Sequence, residues 1–336
     1  MYTSPVSPGR LLNIAAACAA AAGLSMTCAT AQAAASNDYP AGKPITMVVP
    51  YPPGGSNDLF ARAVSAKLGP MLHTSVVVEN KPGAGGSIGA GYVARAKPDG
   101  YTLVAVSSSF TTNAAIQPHL PFDAVKDFTP VGIMAEGPFV VAVKKDSSIH
   151  SIADLVAYAK QHPTELNYAS SGPGSSNQFA TEMLDTAAGI KMTHVPFRGM
   201  GPATTALMAG QVDVLVASGP SLLPAVNSGK VRSLGITSAK PSAIAPRLKP
   251  VADTVPGYSF SLWWGVLAPA NTPQPIVDRL NQAIKQIVDE PEMKKFFLRE
   301  GAESATLSPA QYKQRVQDDI VLWKKVAQQS NITVQQ

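Results

Sequence analysis

Two stretches of the chain gather hydroxyls and glycines in a pattern suited to holding an anion. They are Pro50-Tyr51-Pro52-Pro53-Gly54-Gly55-Ser56-Asn57-Asp58 and Ser170-Ser171-Gly172-Pro173-Gly174-Ser175-Ser176, and each leads from an apolar run into a helical pattern. Glycine lets the backbone turn its N–H groups toward one point, and the hydroxyls add further donors. The helix that follows contributes amides without intrahelical acceptors and a partial positive charge. Such a loop is a seat for a carboxylate or phosphate. One seat in each half of the chain implies a ligand gripped between two lobes. The candidate ligand contacts are therefore Tyr51, Gly54, Gly55, Ser56, Asn57 and Asp58 in the first seat, and Ser170, Ser171, Gly174 and Ser175 in the second. Ser107 and Ser108 are added to them. Asp58 reads chiefly as the cap of its helix. Arg198, in Pro196-Phe197-Arg198-Gly199, is placed at the mouth, where it would add positive potential. Ser56→Ala is expected to remove a donor, and Gly55→Val to do more harm by resisting the backbone shape and filling the seat.

Other chemistry lacks its residues. Pro82-Gly83-Ala84-Gly85-Gly86-Ser87-Ile88-Gly89 has Ile88 where G-x-G-x-x-G needs its last glycine, and no G-K-[ST] occurs. That run reads as a tight loop beside the cleft. His73, His119, His150, His162 and His194 are dispersed without ligand spacing. No G-x-S-x-G elbow is present. Asp318 and Asp319 are adjacent on a helix and so point apart. We expect no enzyme activity, no metal and no cofactor. The net charge of +5 and pI near 9.1 do not signal nucleic acid, because charged residues are only 15% of the chain and form no basic cluster.

The N-terminus carries an address. Arg10 precedes an Ala-rich apolar run, and Ala29-Thr30-Ala31-Gln32-Ala33-Ala34-Ala35 offers overlapping A-x-A sites. Residues 1–33 are therefore expected to be a secretory signal peptide, too short to span a membrane. Both cysteines, Cys18 and Cys28, fall inside it, so the mature chain would hold no thiol.

The elements that must position the seats alternate strand and helix. Ile45–Val49, Val76–Glu79, Tyr101–Val106, Phe139–Val143, Leu166–Ser170, Met192–Pro196, Val212–Ala217 and Val231–Thr237 read as strands. Helical patterns lie between them, and two long helices are expected to close the chain, the last opening at Ser308-Pro309-Ala310-Gln311. Repeated β-α-β units imply mixed or parallel sheets flanked by helices. Ligands in such sheets bind beyond the strand C-termini, where both seats fall. About 300 mature residues exceed one core, which argues for two lobes.

The chain resembles the Bug-type extracytoplasmic solute receptors of tripartite tricarboxylate transporters. The resemblance rests on Val48-Val49-Pro50-Tyr51-Pro52-Pro53-Gly54-Gly55, Val78-Glu79-Asn80-Lys81-Pro82-Gly83-Ala84-Gly85-Gly86 and Lys97-Pro98-Asp99-Gly100-Tyr101-Thr102-Leu103. It continues through Tyr168-Ala169-Ser170-Ser171-Gly172, Val195-Pro196-Phe197-Arg198-Gly199 and Leu267-Ala268-Pro269-Ala270-Asn271-Thr272-Pro273. It implies a two-lobed periplasmic-binding-protein fold (type II-like) with a hinge, a carboxylate held by the two seats partly through water, and delivery to membrane permease subunits. A di- or tricarboxylate, an acidic amino acid or an aromatic acid would all suit. The alternative is a receptor that signals to a sensor protein rather than feeding transport. We expect a monomer. One departure is Asn177-Gln178, where members often carry a histidine. Hinge crossings are expected near Gly137–Val140 and Trp263–Ala268. Residues 36–139 with 264–336 would then form lobe one and 140–263 lobe two.

Overall fold

A computed structural model describes residues 39–329 and 332, so the expected signal peptide and both cysteines lie outside the described residues. Eleven strands and ten α-helices are described. The strands are β1 (Ile45–Val49), β2 (Val76–Asn80), β3 (Thr102–Ser107), β4 (Phe128–Gly137), β5 (Phe139–Lys144), β6 (Asn167–Ser170), β7 (Thr193–Pro196), β8 (Val214–Ser218), β9 (Val231–Ile236), β10 (Leu262–Pro269) and β11 (Glu303–Ser304). The helices are α1 (Ser56–Met71), α2 (Ser87–Ala94), α3 (Ser109–Ile116), α4 (Ile152–Gln161), α5 (Ser176–Ala188), α6 (Met200–Met208), α7 (Gly219–Asn227), α8 (Gln274–Asp289), α9 (Pro291–Arg299) and α10 (Pro309–Gln329).

The strands form two mixed sheets, ordered β11-β4-β10-β3-β1-β2 and β7-β6-β8-β5-β9. Each has three parallel strands at one end, β2-β1-β3 and β7-β6-β8, continued by an antiparallel strand, β10 and β5 respectively. In each trio the chain leaves the middle strand on one side and returns on the other. The crevices between β1 and β3 and between β6 and β8 are therefore topological switch points. The two seats follow β1 and β6.

Helix-start chemistry matches the sequence. Ser308 Oγ accepts from the Gln311 amide, and Gln311 Oε1 accepts from the Ser308 amide at 2.9 Å, both arms of a capping box. Ser151 caps α4 through the Asp154 amide in the same way. The closing region differs from expectation, with three helices instead of two. Pro291 cannot donate an intrahelical bond and holds Glu290 extended (ψ 136°), which separates α8 from α9.

The chain passes between sheets through the single residue Pro138, and returns in the stretch between Ile236 and Leu262. Trp263–Ala268, where the return was expected, lies within β10 and pairs with β3 and β4. Thr237 clips the two passages together. Its hydroxyl accepts from the Phe139 amide (2.8 Å) and donates to the Phe260 carbonyl (2.9 Å). The Phe139 and Phe260 rings stack at 5.2 Å, and Trp323 of α10 packs on Phe260 and edge-on to Phe179. The C-terminal helix thus reaches from the first sheet's body into the second's.

Candidate functional site

The first seat is built on α1. Asp58 turns its carboxylate back toward the loop, where Oδ2 accepts the Gly54 amide at 3.1 Å. Oδ1 accepts from Arg62 Nε (2.9 Å) and Asn80 Nδ2 (3.0 Å). Burial alone would raise this carboxyl, but the bonds from Arg62, Gly54 and Asn80 outweigh it and hold the group below its ordinary range. Asp58 is thus committed to shaping the loop. Ser56 Oγ accepts from Trp264 Nε1 at 3.1 Å, which occupies a lone pair and leaves the hydroxyl hydrogen to be donated elsewhere. Asn57 Nδ2 lies 3.4 Å from Ser107 Oγ, while Asn57 Oδ1 is buried with no hydrogen-bond partner. Burial pushes the Tyr51 phenol up, with a bond to Ser107 opposing it. Ser108 is fully buried and docks β10, its Oγ accepting from the Trp263 amide at 3.0 Å. The structure therefore brings Tyr51, Ser56, Asn57 and Ser107 together and sets Ser108 behind them.

The glycine argument moves by one position. Gly54 has φ +84°, the region that favours glycine, whereas Gly55 has φ −85°, which any residue adopts. A side chain at Gly55 would meet only the Pro52 carbonyl, 3.9 Å away. The backbone reason given for Gly55→Val belongs to Gly54, and at Gly55 only the filling of the seat remains. The glycine run 82–89 packs beside this loop as expected. A Cβ at Gly89 would lie 2.8 Å from Pro50 Cβ, and one at Gly86 3.1 Å from the Tyr51 ring.

The second seat repeats the first, position for position. Gly54-Gly55-Ser56-Asn57-Asp58 and Gly174-Ser175-Ser176-Asn177-Gln178 both end at the third residue of a helix, and that third side chain reaches back four residues. Gln178 Oε1 accepts the Gly174 amide at 2.8 Å, as Asp58 accepts that of Gly54. Asn177, like Asn57, carries a buried amide atom without a partner, here Nδ2, while its Oδ1 accepts from Ser171 Oγ at 2.9 Å. The remaining loop groups are engaged locally. Ser170 Oγ accepts the Gly172 amide at 3.1 Å, Ser175 Oγ donates to the Gly172 carbonyl at 2.6 Å, and the Ser175 amide donates to the same carbonyl. Ser170, Gly174 and Ser175 therefore shape the loop, and Asn177 is the residue left open.

A third helix start, missed in the sequence, joins the two. Ser109 opens α3 just past Ser107, and its Oγ lies 3.0 Å from Ser176 Oγ and accepts the Ser176 amide at 3.3 Å. Thr112 Oγ1 donates to the Gly174 carbonyl at 2.7 Å. The starts of α1, α3 and α5 thus converge, and their dipoles add in favour of negative charge. Arg198 is exposed, in a loop whose Gly199 lies near Pro52 of the first seat and whose Phe197 carbonyl lies near Gly172 of the second. Among the described residues no group of three or more His, Cys, Asp or Glu could hold a metal ion. The sequence also hid a serine–histidine contact, Ser170 Oγ to His194 Nε2 at 2.6 Å. The other ring nitrogen faces the Gln178 amide at 3.3 Å instead of a carboxylate, so the pair lacks the third member that a hydrolase uses.

Behind the second seat lie a half-buried group and a buried one with opposite pH behaviour. Burial pushes His194 down to about 4 from 6.5. Burial also pushes Asp185 up to about 7 from 3.8, with the Met192 amide opposing and Glu182 reinforcing. The unfolded chain binds a proton at His194 more readily, so that contribution is present above about pH 6.5 and is lost as pH falls toward 4. The folded chain binds a proton at Asp185 more readily, so that contribution is present below about pH 4 and is lost as pH rises through 7. Melting temperatures measured between pH 4.5 and 6.5 should therefore rise with pH more steeply in Asp185→Asn than in the parent. In His194→Phe they should fall with pH.

Two mixed α/β sheets joined by two passages of the chain, with hydroxyl- and amide-lined loops at their switch points, define a periplasmic-binding-protein fold. The chain belongs to the family described as tripartite tricarboxylate transporter family receptor, whose sequence model matches residues 60–332. BugT of Bordetella pertussis is 32% identical over 307 residues, 90% of this chain and 94% of BugT. An adipate-bound protein of R. palustris superposes with a TM-score of 0.84 at 34% identity, over 88% of this chain and 99% of that one. MatC of Rhodopseudomonas palustris, solved with bound malate, gives a TM-score of 0.78 at 32% identity, over 84% and 98%. Membership makes the chain a solute-binding receptor and not an enzyme.

Proposed function

We propose that the protein captures a small organic acid between its two sheets in the periplasm and delivers it to the membrane subunits of a tripartite tricarboxylate transporter. The observation that carries this is the convergence of three helix starts, lined by the Ser56 hydroxyl and by the unpartnered Nδ2 of Asn177. Neutral donors of this kind bind a carboxylate without a buried cation. The adipate and malate held by similar proteins support a di- or tricarboxylate, and acidic amino acids and aromatic acids belong to the same test. Among the described residues no helix is long and apolar enough to cross a membrane. The expected signal peptide supports export, and the two sheets would then act as the cores of two closing lobes. A thermal-shift screen of the protein against a carboxylate library decides the ligand, because a ligand that binds only the native state raises its melting temperature. No shift with any carboxylate at millimolar concentration would reject the reading.

Arg198 supplies a separate expectation. An exposed cation beside the seats attracts anions over a Debye length without making a fixed pair. Arg198→Ala should slow ligand association several-fold at low salt and leave dissociation nearly unchanged. Stopped-flow kinetics at two ionic strengths checks this, and equal association rates would remove Arg198 from the site.

A further inference from the structure

We propose that His194 and Gln178 are positioning residues, a neutral latch that fixes the shape of the second seat. The proposal rests on the reading of that seat as a ligand contact. His194 lies on β7 directly opposite Tyr168 of β6, and the two rings stack at 4.9 Å and 18°. Its Nε2 is 2.6 Å from Ser170 Oγ, and its Nδ1 is 3.3 Å from Gln178 Nε2. These contacts permit one arrangement of protons. Gln178 Oε1 is held by the Gly174 amide, so the NH2 end of Gln178 must face the ring. Nδ1 is then the acceptor, and Nε2 carries the hydrogen and donates it to Ser170 Oγ. Ser170 in turn donates to the Gly172 carbonyl at 3.2 Å and accepts the Gly172 amide. Gly172 (φ +125°) and Gly174 (φ +78°) flank Pro173, and both are tied through this chain to a single ring.

The latch works only while the imidazole is neutral. A protonated ring would present Nδ1–H to an NH2 group, and turning the Gln178 amide to meet it would release the Gly174 amide. The charged groups nearby are occupied elsewhere. Glu182, one turn along α5, accepts the Tyr168 hydroxyl, and Asp185, a turn further, accepts the Met192 amide at 2.7 Å. Lys191 lies near Asp185. Neither ring nitrogen faces a carboxylate. The first seat performs the same reach with the carboxylate of Asp58, whose charge Arg62 offsets. Among the described residues no cation bonds Gln178, and glutamine makes the same bond without placing a negative charge behind an anion.

Two-dimensional 15N NMR of the protein tests the latch without any ligand. Above pH 6 His194 should be the Nε2–H tautomer. Gln178→Leu and His194→Phe, the latter keeping the stack on Tyr168, should each speed exchange of the Gly174 amide by about tenfold, the loss of one net hydrogen bond. The Gly54 amide, held by Asp58, should not change. Gln178→Glu should restore Gly174 protection and bring His194 protonation into the neutral range, which a merely space-filling role would not do. An Nδ1–H tautomer, or Gly174 exchange unchanged in both variants, would overturn the proposal. Affinities for malate and adipate are then measured on the same variants. A latch that shifts Gly174 while leaving a measurable affinity untouched would stand, and the second seat would lose its place in ligand binding. Failure of either acid to bind the parent would count against the proposed ligand class alone.

Discussion

Ser56→Ala should weaken capture of the ligand by about 10- to 150-fold, because a charge-assisted hydrogen bond contributes about 1.5–3 kcal/mol net. Ser56 is a better donor than sequence alone suggests. Trp264 Nε1 already supplies it with a hydrogen, so its own hydrogen is directed away from the indole. Removing the hydroxyl also strands the indole N–H of the fully buried Trp264, which adds a stability cost of about 1–3 kcal/mol that the binding measurement must separate. Gly54→Val should match or exceed the affinity loss. A β-branched residue at φ +84° is strained by about 1–3 kcal/mol, and its relief would pull the Gly54 amide off Asp58. Gly55→Val, at φ −85°, should leave melting temperature close to the parent's and affect binding only by bulk. Titration calorimetry with the acid found in the thermal-shift screen orders the three. Parent-like affinity in both Ser56→Ala and Gly54→Val would move the ligand away from the first seat.

Much of this site was legible because its loops are written in small residues between apolar runs. Glycine, serine and proline after Ile45–Val49 and after Leu166–Ser170 announce strand-to-helix turns wherever they occur. The capping box at Ser308 was equally plain. What stayed hidden depends on distance in sequence. Ser109 reads as one serine in a run of three, and the helix it opens, Ser109–Ile116, has no apolar period to mark it. His194 lies 24 residues from Ser170, and only the parallel register of β6 with β7 brings them together. Gln178 looked like a departure from the family, yet it occupies the position of Asp58 and makes the same backward bond. Phe128–Gly137 and Leu262–Pro269 passed unread as strands, although they are the central antiparallel pair of the first sheet. The break at Pro291 carried a usable signal, since proline after an acidic pair ends one helix and starts another.

Gly219→Val should cost about 10- to 100-fold in affinity by keeping the two sheets' bodies apart. Gly219 opens α7 at the end of β8, in the second sheet's body, and Gly301 follows α9 in the first's. A Cβ at Gly219 would lie 2.5 Å from Gly301 Cα and 2.7 Å from the Glu300 carbonyl oxygen. A Cβ at Gly301, where φ is +76°, would lie 2.6 Å from Gly219 Cα. Both sides of the contact are backbone, so no side chain can turn aside to relieve the overlap. Overpacking of this kind costs about 1–3 kcal/mol. The cheapest escape is to separate the bodies, which the chain joins through Pro138 and the stretch after Ile236. The ligand-competent arrangement, with Ser109 against Ser176 and Thr112 against Gly174, then becomes a minor population. Apparent affinity falls by the fraction lost, while each seat remains intact. Solution scattering should show the parent contracting when its acid is added and Gly219→Val contracting less at equal saturation. Indole emission should follow, because Trp264 bonds Ser56 and Trp323 sits on Phe260 beside the return passage. A Gly219→Val protein that binds and contracts like the parent would show that ligand capture does not depend on the approach of the two bodies at this joint.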